Sequence, residues 1–327
     1  MSTKTLIVIV GPTGSGKTDL SIAVAERYAC PIISTDSRQF YRGMSIGTAQ
    51  PSREQMSRVE HHLVNCLDVS EEFNCGAYER VALERLAELF EKYDTVVAVG
   101  GSGLYIKALC EGMDDLPEAD EALRAELMSR LQNEGLDSLL AQLKELDAEF
   151  YEVVDRQNPA RVMRALEVCL ASGCKYSQLR KSERKERDFQ IVKVGVTMPR
   201  EELYDRINRR VDMMMEEGLL SEVRSLYDRG LLKGQTASAA IGYKELVDYI
   251  EGRCSLEAAV DNIKLASRRY AKRQLTWFRH EEGARTITVD KPCGSIKSCE
   301  ELLSEALVIA DEFKQKYISE CENNEGK

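Results

Sequence analysis

The 327-residue sequence lacks several features that would place it in common classes of protein. It has no apolar run of about 18 residues, so we predict no membrane-spanning segment. It has no C-x-x-C pair and only three histidines, which argues against a zinc site. Its ten cysteines are scattered singly, as is typical of reduced, structural thiols. These absences indicate a cytoplasmic protein without a membrane partner.

The sequence also lacks an excess of positive charge. It carries 55 acidic and 45 basic residues, which gives a formal net charge of −10. This balance argues against non-specific nucleic-acid binding by the whole surface, but it leaves room for a local basic groove. The N-terminal apolar run at 6–10 leads into a glycine-rich loop, so we interpret it as a core strand and not as part of a signal peptide.

The glycine-rich loop matches the pattern G-x-x-x-x-G-K-[ST]. It lies between a strand-like apolar run and a segment with helical apolar spacing, which is the context of a phosphate-binding loop. Glycines let the backbone approach an anion, and N–H groups at a helix N-terminus point toward it. The lysine adds charge, and the hydroxyl of Thr18 is expected to be a ligand for Mg²⁺. The predicted phosphate-binding residues of this loop are Gly11, Pro12, Thr13, Gly14, Ser15, Gly16, Lys17 and Thr18.

Strand-like and helix-like patterns alternate over the first third of the chain. The sequence predicts strands at 31–36, 61–69 and 94–101, and helices at 77–93 and 102–112. This alternation is typical of a parallel, doubly wound sheet, whose ligands bind at the carboxyl ends of the strands. The predicted fold class is therefore α/β, with a P-loop NTPase-like parallel sheet core and an all-helical insertion domain.

The insertion is predicted where strand-like patterns disappear. A strand returns only at 189–198, and a late one is expected at 284–290. The predicted division is a first core part at 1–116, a helical insertion at 117–188, a core continuation with C-terminal helices at 189–318, and a disordered tail at 319–327.

The phosphate-binding loop alone leaves the owner of the phosphates open. The sequence lacks the D-x-x-G and N-K-x-D motifs of a GTPase in suitable places. The strand at 94–101 ends in two glycines and not in the aspartate that holds Mg²⁺ in most P-loop ATPases. Asp36, which follows the second predicted strand, is placed as in small kinases. The polar segment 34–51 around it fits either a recognition loop or a solvated turn.

Six segments, in this order, resemble the tRNA dimethylallyltransferases, the bacterial-type tRNA isopentenyltransferases. They are GPTGSGKT, STDSRQFYRGMSIGTAQP, VGGSGLYIKAL, NPARVMRALEV, IGYKEL and AKRQLTWFR. The resemblance covers nearly the whole chain. It implies that the phosphates belong to dimethylallyl diphosphate, and that the prenyl group goes to N6 of the adenine 3′-adjacent to the anticodon, in tRNAs that read codons beginning with U.

The resemblance also implies roles for two residues. Asp36 would be the general base that takes a proton from the adenine amine, and Ser102 would lie near the bridging oxygen of the leaving group. The family has threonine at the position of Ser102, so the hydroxyl is kept. Arg206 and Arg210, one helical turn apart, either clamp the diphosphate or belong to a solvated helix with interleaved acidic residues.

A basic segment at 264–280 suits contact with RNA. It has six Lys or Arg residues, no acidic residue and three aromatic residues, which is typical of phosphate contact combined with base stacking. Its charges are expected outside and its Trp277 and Phe278 packed. The full set expected to meet the anticodon stem-loop is Asp36, Ser37, Arg38, Gln39, Ser102, Arg124, Arg161, Arg164, Gly242, Tyr243, Lys244, Lys272, Arg273, Gln274, Trp277 and Arg279.

Three other functions remain open on the sequence. They are prenylation of free adenylate, a P-loop small-molecule kinase, and a non-catalytic RNA-binding module with a nucleotide switch. The helical insertion and the basic segment favour tRNA over a free nucleotide, and the missing switch motifs disfavour the module. The expected partners are tRNA and dimethylallyl diphosphate, with Mg²⁺ as cofactor and a monomeric state.

Overall fold

The computed structural model describes residues 4–117, 120–181, 183–232, 239–280, 284–289 and 297–325. The chain forms two compact units. The first comprises Met1–Cys110 with Arg187–Lys327, and the second comprises Glu111–Glu186. Among the described helices, none is long and apolar enough to cross a membrane.

The first unit is built on a six-stranded sheet whose neighbouring strands are all parallel, in the order β3-β2-β4-β1-β5-β6. Its strands are β1 (Thr5–Val10), β2 (Ile32–Ser34), β3 (His61–His62), β4 (Thr95–Gly100), β5 (Gln190–Thr197) and β6 (Ala284–Thr288). All six residues of β1 are buried, as expected for a central strand covered on both faces. The parallel α/β core that the sequence predicts is confirmed.

Helices occupy most of the remaining described chain. They are α1 (Lys17–Tyr28), α2 (Arg53–Arg58), α3 (Cys75–Phe90), α4 (Gly103–Glu111), α5 (Glu121–Glu134), α6 (Leu136–Leu146), α7 (Ala148–Val153), α8 (Pro159–Ser172), α9 (Tyr176–Leu179), α10 (Arg200–Glu216), α11 (Leu219–Asp228), α12 (Tyr243–Ile250), α13 (Leu256–Arg279) and α14 (Cys299–Glu325). Helices α5 to α9 belong to the second unit.

Two segments differ from the elements that the sequence predicts. The strand expected at 61–69 stops after His62, because Leu63 and Asn65 adopt left-handed backbone angles that end extended pairing. At the C-terminus, α14 continues through Glu325, into the tail predicted to be disordered at 319–327. The tail contains three glutamates, Glu320, Glu322 and Glu325, and glutamate is a good helix former. Residues 326 and 327 lie outside the described residues.

The main core joins the sheet to the helices beside it. Ile7 and Ile9 of β1 pack with residues of α1 and β5, and α14 adds Leu302 and Ala306 to the same cluster. This packing fixes the carboxyl ends of β1, β4 and β2, which are neighbours in the sheet. The loops that follow these three strands therefore lie at one edge.

The second unit has its own small core. Leu127 of α5, Leu139 and Leu143 of α6, and Leu166 of α8 are fully buried together. Helix α8 begins where the Asn158 side chain accepts a hydrogen bond from the Arg161 N–H, with proline at the first helical position. An amphipathic helix with a cap at its start explains why the sequence predicts this unit as helical.

Gly100, the last residue of β4, gives a test of how closely the strands pack at this edge. A Cβ at Gly100 would overlap Thr35 Oγ1 and lie 2.9 Å from the backbone nitrogen of Asp36. Gly100→Ala should therefore lower the free energy of unfolding by about 1–3 kcal/mol in urea titrations. In the control Gly76→Ala, the nearest atom to the new Cβ is 3.5 Å away, so stability should be unchanged or slightly higher. Equal stabilities of the two variants would contradict this packing.

Candidate active site

The loops after β1, β2 and β4 surround a cavity of about 350 Å³. At one end it is lined by Thr13, Lys17 and Thr18 of the glycine-rich loop. Asp36 follows β2, and Gly101 follows β4. Helices α10 and α13 complete the lining of this end with residues that include Arg210, Tyr270 and Gln274. The site lies at the carboxyl ends of parallel strands, where α/β proteins bind their ligands.

The glycine-rich loop has the backbone shape of an anion cradle. Gly14 and Gly16 have φ angles of 85° and 87°, which L-residues with side chains rarely adopt. Gly16 is also the residue at which α1 begins, so free N–H groups of the first turn face the loop. The Lys17 ammonium donates to the Pro12 carbonyl at 2.7 Å, and the buried Ser15 hydroxyl has no hydrogen-bond partner among the described residues.

Positive charge is concentrated at this end of the cavity. Although Lys17 keeps some exposure to the open cavity, burial lowers its pKa to about 7; Arg210 lowers it further, and Asp36 opposes the shift. Burial also lowers the pKa of Arg210, again against the charge of Asp36. The Arg210 guanidinium lies 3.4 Å from Thr13 Oγ1. The Arg206 guanidinium lies next to Gly16, because a Cβ added to that glycine would be 3.8 Å from it. Both arginines of α10 thus lie beside the cradle, and a diphosphate clamp stays a prediction.

Asp36 and Ser102 are brought together by the loops after β2 and β4. The Asp36 carboxylate accepts the Arg38 N–H at 3.0 Å, which fixes the turn after β2. The Ser102 hydroxyl accepts the Ser37 N–H at 3.0 Å and donates to Ser37 Oγ at 3.1 Å. Tyr270 also hydrogen-bonds Ser102; burial and the charge of Asp36 raise the pKa of Tyr270. The sequence indicated Tyr270 only as an aromatic residue of a basic segment and gave no sign of its contact with Ser102.

Gln274 of α13 connects the cradle to the loop after β4. Its side-chain oxygen accepts the Thr13 N–H at 2.9 Å, and its amide donates to the Gly101 carbonyl at 2.8 Å. The residue is buried. The sequence predicts Gln274 as a contact for RNA, whereas here its amide links two loops of the protein. The apolar face of the helix could have indicated this role, because a glutamine that is buried on such a face needs hydrogen-bond partners within the protein.

The exposed face of α13 carries the basic charge expected from the sequence. Lys272, Arg273 and Arg279 are exposed, and the Arg273 guanidinium lies 5.7 Å from the centre of the Tyr270 ring. Trp277 is half-buried instead: its ring fills the space beside Gly103, where a Cβ would come within 2.5 Å of it. The basic side chains are thus exposed and the tryptophan is packed against the protein, as the sequence predicted for this segment.

The predicted RNA contacts of the second unit form a cluster of their own. Arg124 donates to the buried Glu167 carboxylate at 2.6 and 3.1 Å, and Arg164 donates to the same carboxylate at 3.2 Å. Arg164 also donates to the Pro117 carbonyl at 2.9 Å. Arg161 is exposed. Arg124 therefore joins α5 to α8, and Arg164 joins α8 to the segment before α5, which the sequence did not indicate.

The segment 239–244 supplies a further part of the cavity wall. Gly242 lines the cavity, and its N–H donates to the Glu245 side chain at 2.8 Å at the start of α12. Tyr243, predicted to contact RNA, is fully buried and its hydroxyl donates to Glu222 at 2.6 Å. Lys244 is exposed. Residues 233–238, just before this segment, lie outside the described residues.

The donor atoms of the site fit a magnesium ion that is shared with a phosphate ligand. Thr18 and Asp36 both line the cavity and offer a hydroxyl and a carboxylate oxygen. Over the described ranges, no group of three or more His, Cys, Asp or Glu residues could form an all-protein metal site. Mg²⁺ commonly takes one or two protein oxygens and completes its shell with water and phosphate oxygens.

The fold and the cavity define a P-loop-like α/β protein with a cationic cradle beside a carboxylate. The family model "IPP transferase" matches residues 39–281. A curated relative, tRNA dimethylallyltransferase 1 of Bacteroides fragilis, is 46% identical over 285 residues, which cover 87% of this chain and 94% of that protein. The chain therefore belongs to the IPP transferase family.

Solved structures agree with this assignment. A tRNA isopentenylpyrophosphate transferase from Bacillus halodurans is 38% identical, with a TM-score of 0.70 over 97% of this chain and 99% of that one. A eukaryotic dimethylallyltransferase described as acting on tRNA is 26% identical, with a TM-score of 0.74 over 88% of this chain and 74% of that one.

The lowered pKa of Lys17 predicts that binding of a diphosphate takes up a proton. At pH 8 Lys17 is mostly neutral in the free protein, because its pKa is about 7, and a bound anion should restore the charge. Calorimetric titration with dimethylallyl diphosphate in buffers of different ionisation enthalpy should give an uptake approaching one proton per site at pH 8.

Lys17→Arg provides the control, since a guanidinium is charged before and after binding. Its proton uptake at pH 8 should fall to near zero. A wild-type binding enthalpy that does not depend on the buffer would contradict the prediction.

Proposed function

We propose that this protein transfers a dimethylallyl group from dimethylallyl diphosphate to N6 of the adenine 3′-adjacent to the anticodon, in tRNAs that read codons beginning with U. The observation that carries the proposal is the shared cavity. One end has the cationic, glycine-rich cradle of a diphosphate site, and Asp36 lies in the same cavity, within the electrostatic influence of Lys17 and Arg210. Family membership and the names of the relatives support the same reaction.

On the donor side, the cradle acts on the group that leaves. As the allylic C–O bond breaks, its electron pair moves to the diphosphate, and negative charge grows there. The N–H groups at the start of α1, together with Lys17 and Arg210, would stabilise this charge. Ser102, held by Ser37 and Tyr270, would place a hydroxyl at the bridging oxygen.

On the acceptor side, Asp36 is the base. The N6 lone pair forms the new C–N bond, and the proton lost from N6 passes to the Asp36 carboxylate. The hydrogen bond from the Arg38 N–H holds this carboxylate in place. The cavity also has apolar residues, among them Val211, Met214 and Ile263, which would keep water away from the cation-like allylic carbon.

Mg²⁺ would be held by the Thr18 hydroxyl, so that the Asp36 carboxylate keeps its role as the base. When bound, it supplies positive charge to the diphosphate as the leaving group departs. The remaining ligands would be water and diphosphate oxygens.

The anticodon stem-loop would bind along the basic face of α13. Lys272, Arg273 and Arg279 are exposed there, and Arg273 also lines the cavity. The adenine must leave its stack to reach Asp36, which is less costly from a single-stranded loop than from a duplex. Exposed Arg161 of the second unit would add a phosphate contact. We place the reaction in the cytoplasm and expect a monomer.

Isotope transfer tests the function directly. The protein is incubated with Mg²⁺, labelled dimethylallyl diphosphate and either unmodified tRNA or AMP; a parallel reaction contains γ-labelled ATP and candidate acceptors. Label should enter tRNA at the adenine beside the anticodon. AMP as the better acceptor would replace the proposal by adenylate prenylation, and movement of the γ-phosphate would replace it by a kinase.

Asp36→Asn isolates the base. Asparagine keeps an oxygen that accepts the Arg38 N–H, so the turn should survive, but it has no carboxylate to take the proton. We expect kcat to fall at least a hundredfold, with tRNA affinity and the unfolding temperature little changed. Both rate and binding are measured on the same unmodified tRNA. Near-normal turnover would remove Asp36 from the base role.

Lys272→Ala and Arg273→Ala should each weaken tRNA binding and reduce its salt dependence. Each variant should lower the slope of log K against log salt by about 0.7–0.9, the value for one phosphate contact. Lys92→Ala, which removes an exposed charge outside α13, should leave the slope unchanged. Filter binding between low and moderate salt measures the slope, and equal slopes in all variants would place the RNA elsewhere.

A further inference from the structure

Glu222 of α11 makes contacts that neither the motif pattern nor the proposed chemistry requires. One carboxylate oxygen accepts the Ile46 N–H at 2.9 Å, and the other accepts the Gly47 N–H at 3.0 Å. The two amides are consecutive in the chain, and they lie about 175 positions before Glu222. A carboxylate that accepts two backbone N–H groups forms strong, directional bonds.

Tyr243 donates a third hydrogen bond to the Glu222 carboxylate. Its hydroxyl donates to the same carboxylate at 2.6 Å, and burial together with the charge of Glu222 raises the pKa of Tyr243. The aromatic ring packs against Gly47, where a Cβ would come within 2.5–2.7 Å of ring atoms. Gly47 is therefore held by a hydrogen bond on one side and by a ring on the other.

Residues 45–50, which we name the clamp loop, are closed on themselves by further hydrogen bonds. The Ala49 N–H donates to the Ile46 carbonyl at 2.9 Å, and the Gln50 N–H donates to that of Ser45 at 3.0 Å. Ala49 has a φ of 49°, a left-handed angle that an alanine adopts only when its surroundings hold it there. External contacts such as those of Glu222 are what such a loop needs.

The clamp loop is linked back to the segment that carries Asp36. The Gln39 amide donates to the Ala49 carbonyl at 2.9 Å, and the Gln50 amide donates to the Gln39 carbonyl at 2.9 Å. Gln39 lines the cavity together with Gly47 and Ala49 of the clamp loop. Displacement of the clamp loop would therefore move part of the cavity wall, and it would also move the Ala49 carbonyl that accepts the hydrogen bond from Gln39.

We infer that Glu222 is a positioning residue for the acceptor side of the cavity, which it fixes by holding the clamp loop through Ile46 and Gly47. The inference rests on the proposed function for the identity of the acceptor, tRNA. The cradle does not depend on Glu222, because its glycines, Lys17 and the start of α1 belong to a different loop. Loss of the Glu222 carboxylate should thus affect tRNA more than the diphosphate donor.

Glu222→Gln tests the inference with little change of shape. A glutamine has one oxygen for one N–H, and it turns an NH₂ group toward the other, which leaves that amide without an acceptor. Tyr243→Phe removes only the hydroxyl and should give a weaker form of the same effect. Asp228→Asn, at the exposed end of α11, is the matched control.

Hydrogen exchange on the ligand-free protein is the first readout. Peptides that cover residues 44–50 should exchange at least about tenfold faster in Glu222→Gln, and less so in Tyr243→Phe, while peptides that cover 11–18 stay at the wild-type rate. Unchanged exchange at 44–50 would overturn the inference, because the clamp loop would then be held without Glu222.

Kinetics are the second readout. In Glu222→Gln, kcat/KM for tRNA should fall about tenfold, with the Kd for dimethylallyl diphosphate within twofold of wild type; Asp228→Asn should match wild type in both. Faster exchange with normal kcat/KM, or equal losses for donor and tRNA, would overturn the positioning role. A wild-type protein that does not prenylate tRNA would instead overturn the proposed function, and the exchange rates would still decide whether Glu222 holds the loop.

Discussion

The parallel pairing of β4 with both β2 and β1 is the constraint on which the rest of the structure depends. It ends three strands at one sheet edge, and so brings together the glycine-rich loop, the turn with Asp36 and the loop with Ser102. These segments are far apart in the chain, and no local preference would join them. The hydrophobic burial of β1 and its neighbours therefore stabilises the site as well as the fold.

Helix α13 gives this edge a second level of organisation. Gln274 joins the cradle to the loop after β4, Tyr270 reaches Ser102, and the next exposed positions are the basic residues Lys272 and Arg273. One helix thus contacts the predicted donor site with one face and offers positive charge to solvent with another. Rigid elements position functional groups more accurately than loops do, and this helix spans 24 residues.

The sequence predicted those parts of the site that depend on local pattern. The glycine-rich loop combines chemistry, spacing and strand–loop–helix context, so its shape could be expected. Asp36 and Ser102 each follow a predicted strand, but the pairing of those two strands was not predicted and is a finding of the structure. The premature end of β3 was not predicted, because a left-handed angle is rare for a leucine and the hydrogen bond from the Asn65 N–H to the Gln39 carbonyl leaves no mark in the local pattern. Glu222 was missed for a similar reason: its partners are backbone N–H groups, which carry no signature in the side-chain pattern. The two arginines bound to Glu167 show the same limit, since a charge in sequence does not reveal whether it faces solvent or an internal carboxylate.

Three glycines between the end of β4 and the start of α4 meet three different parts of the first unit. Thr35 occupies the space beside Gly100, Gln274 that beside Gly101, and Trp277 that beside Gly103. The space that a side chain would need at each glycine is thus taken by a neighbouring residue. At Gly101 and Gly103 the close atoms belong to side chains, so over evolutionary time a larger residue there requires a smaller one opposite. At Gly100 backbone atoms of Thr35 and Asp36 also lie within 3 Å, so no change of the facing side chain makes room. Natural variants of the family that lose Gly101 or Gly103 should therefore carry a compensating change in the facing residue, whereas Gly100 should stay glycine.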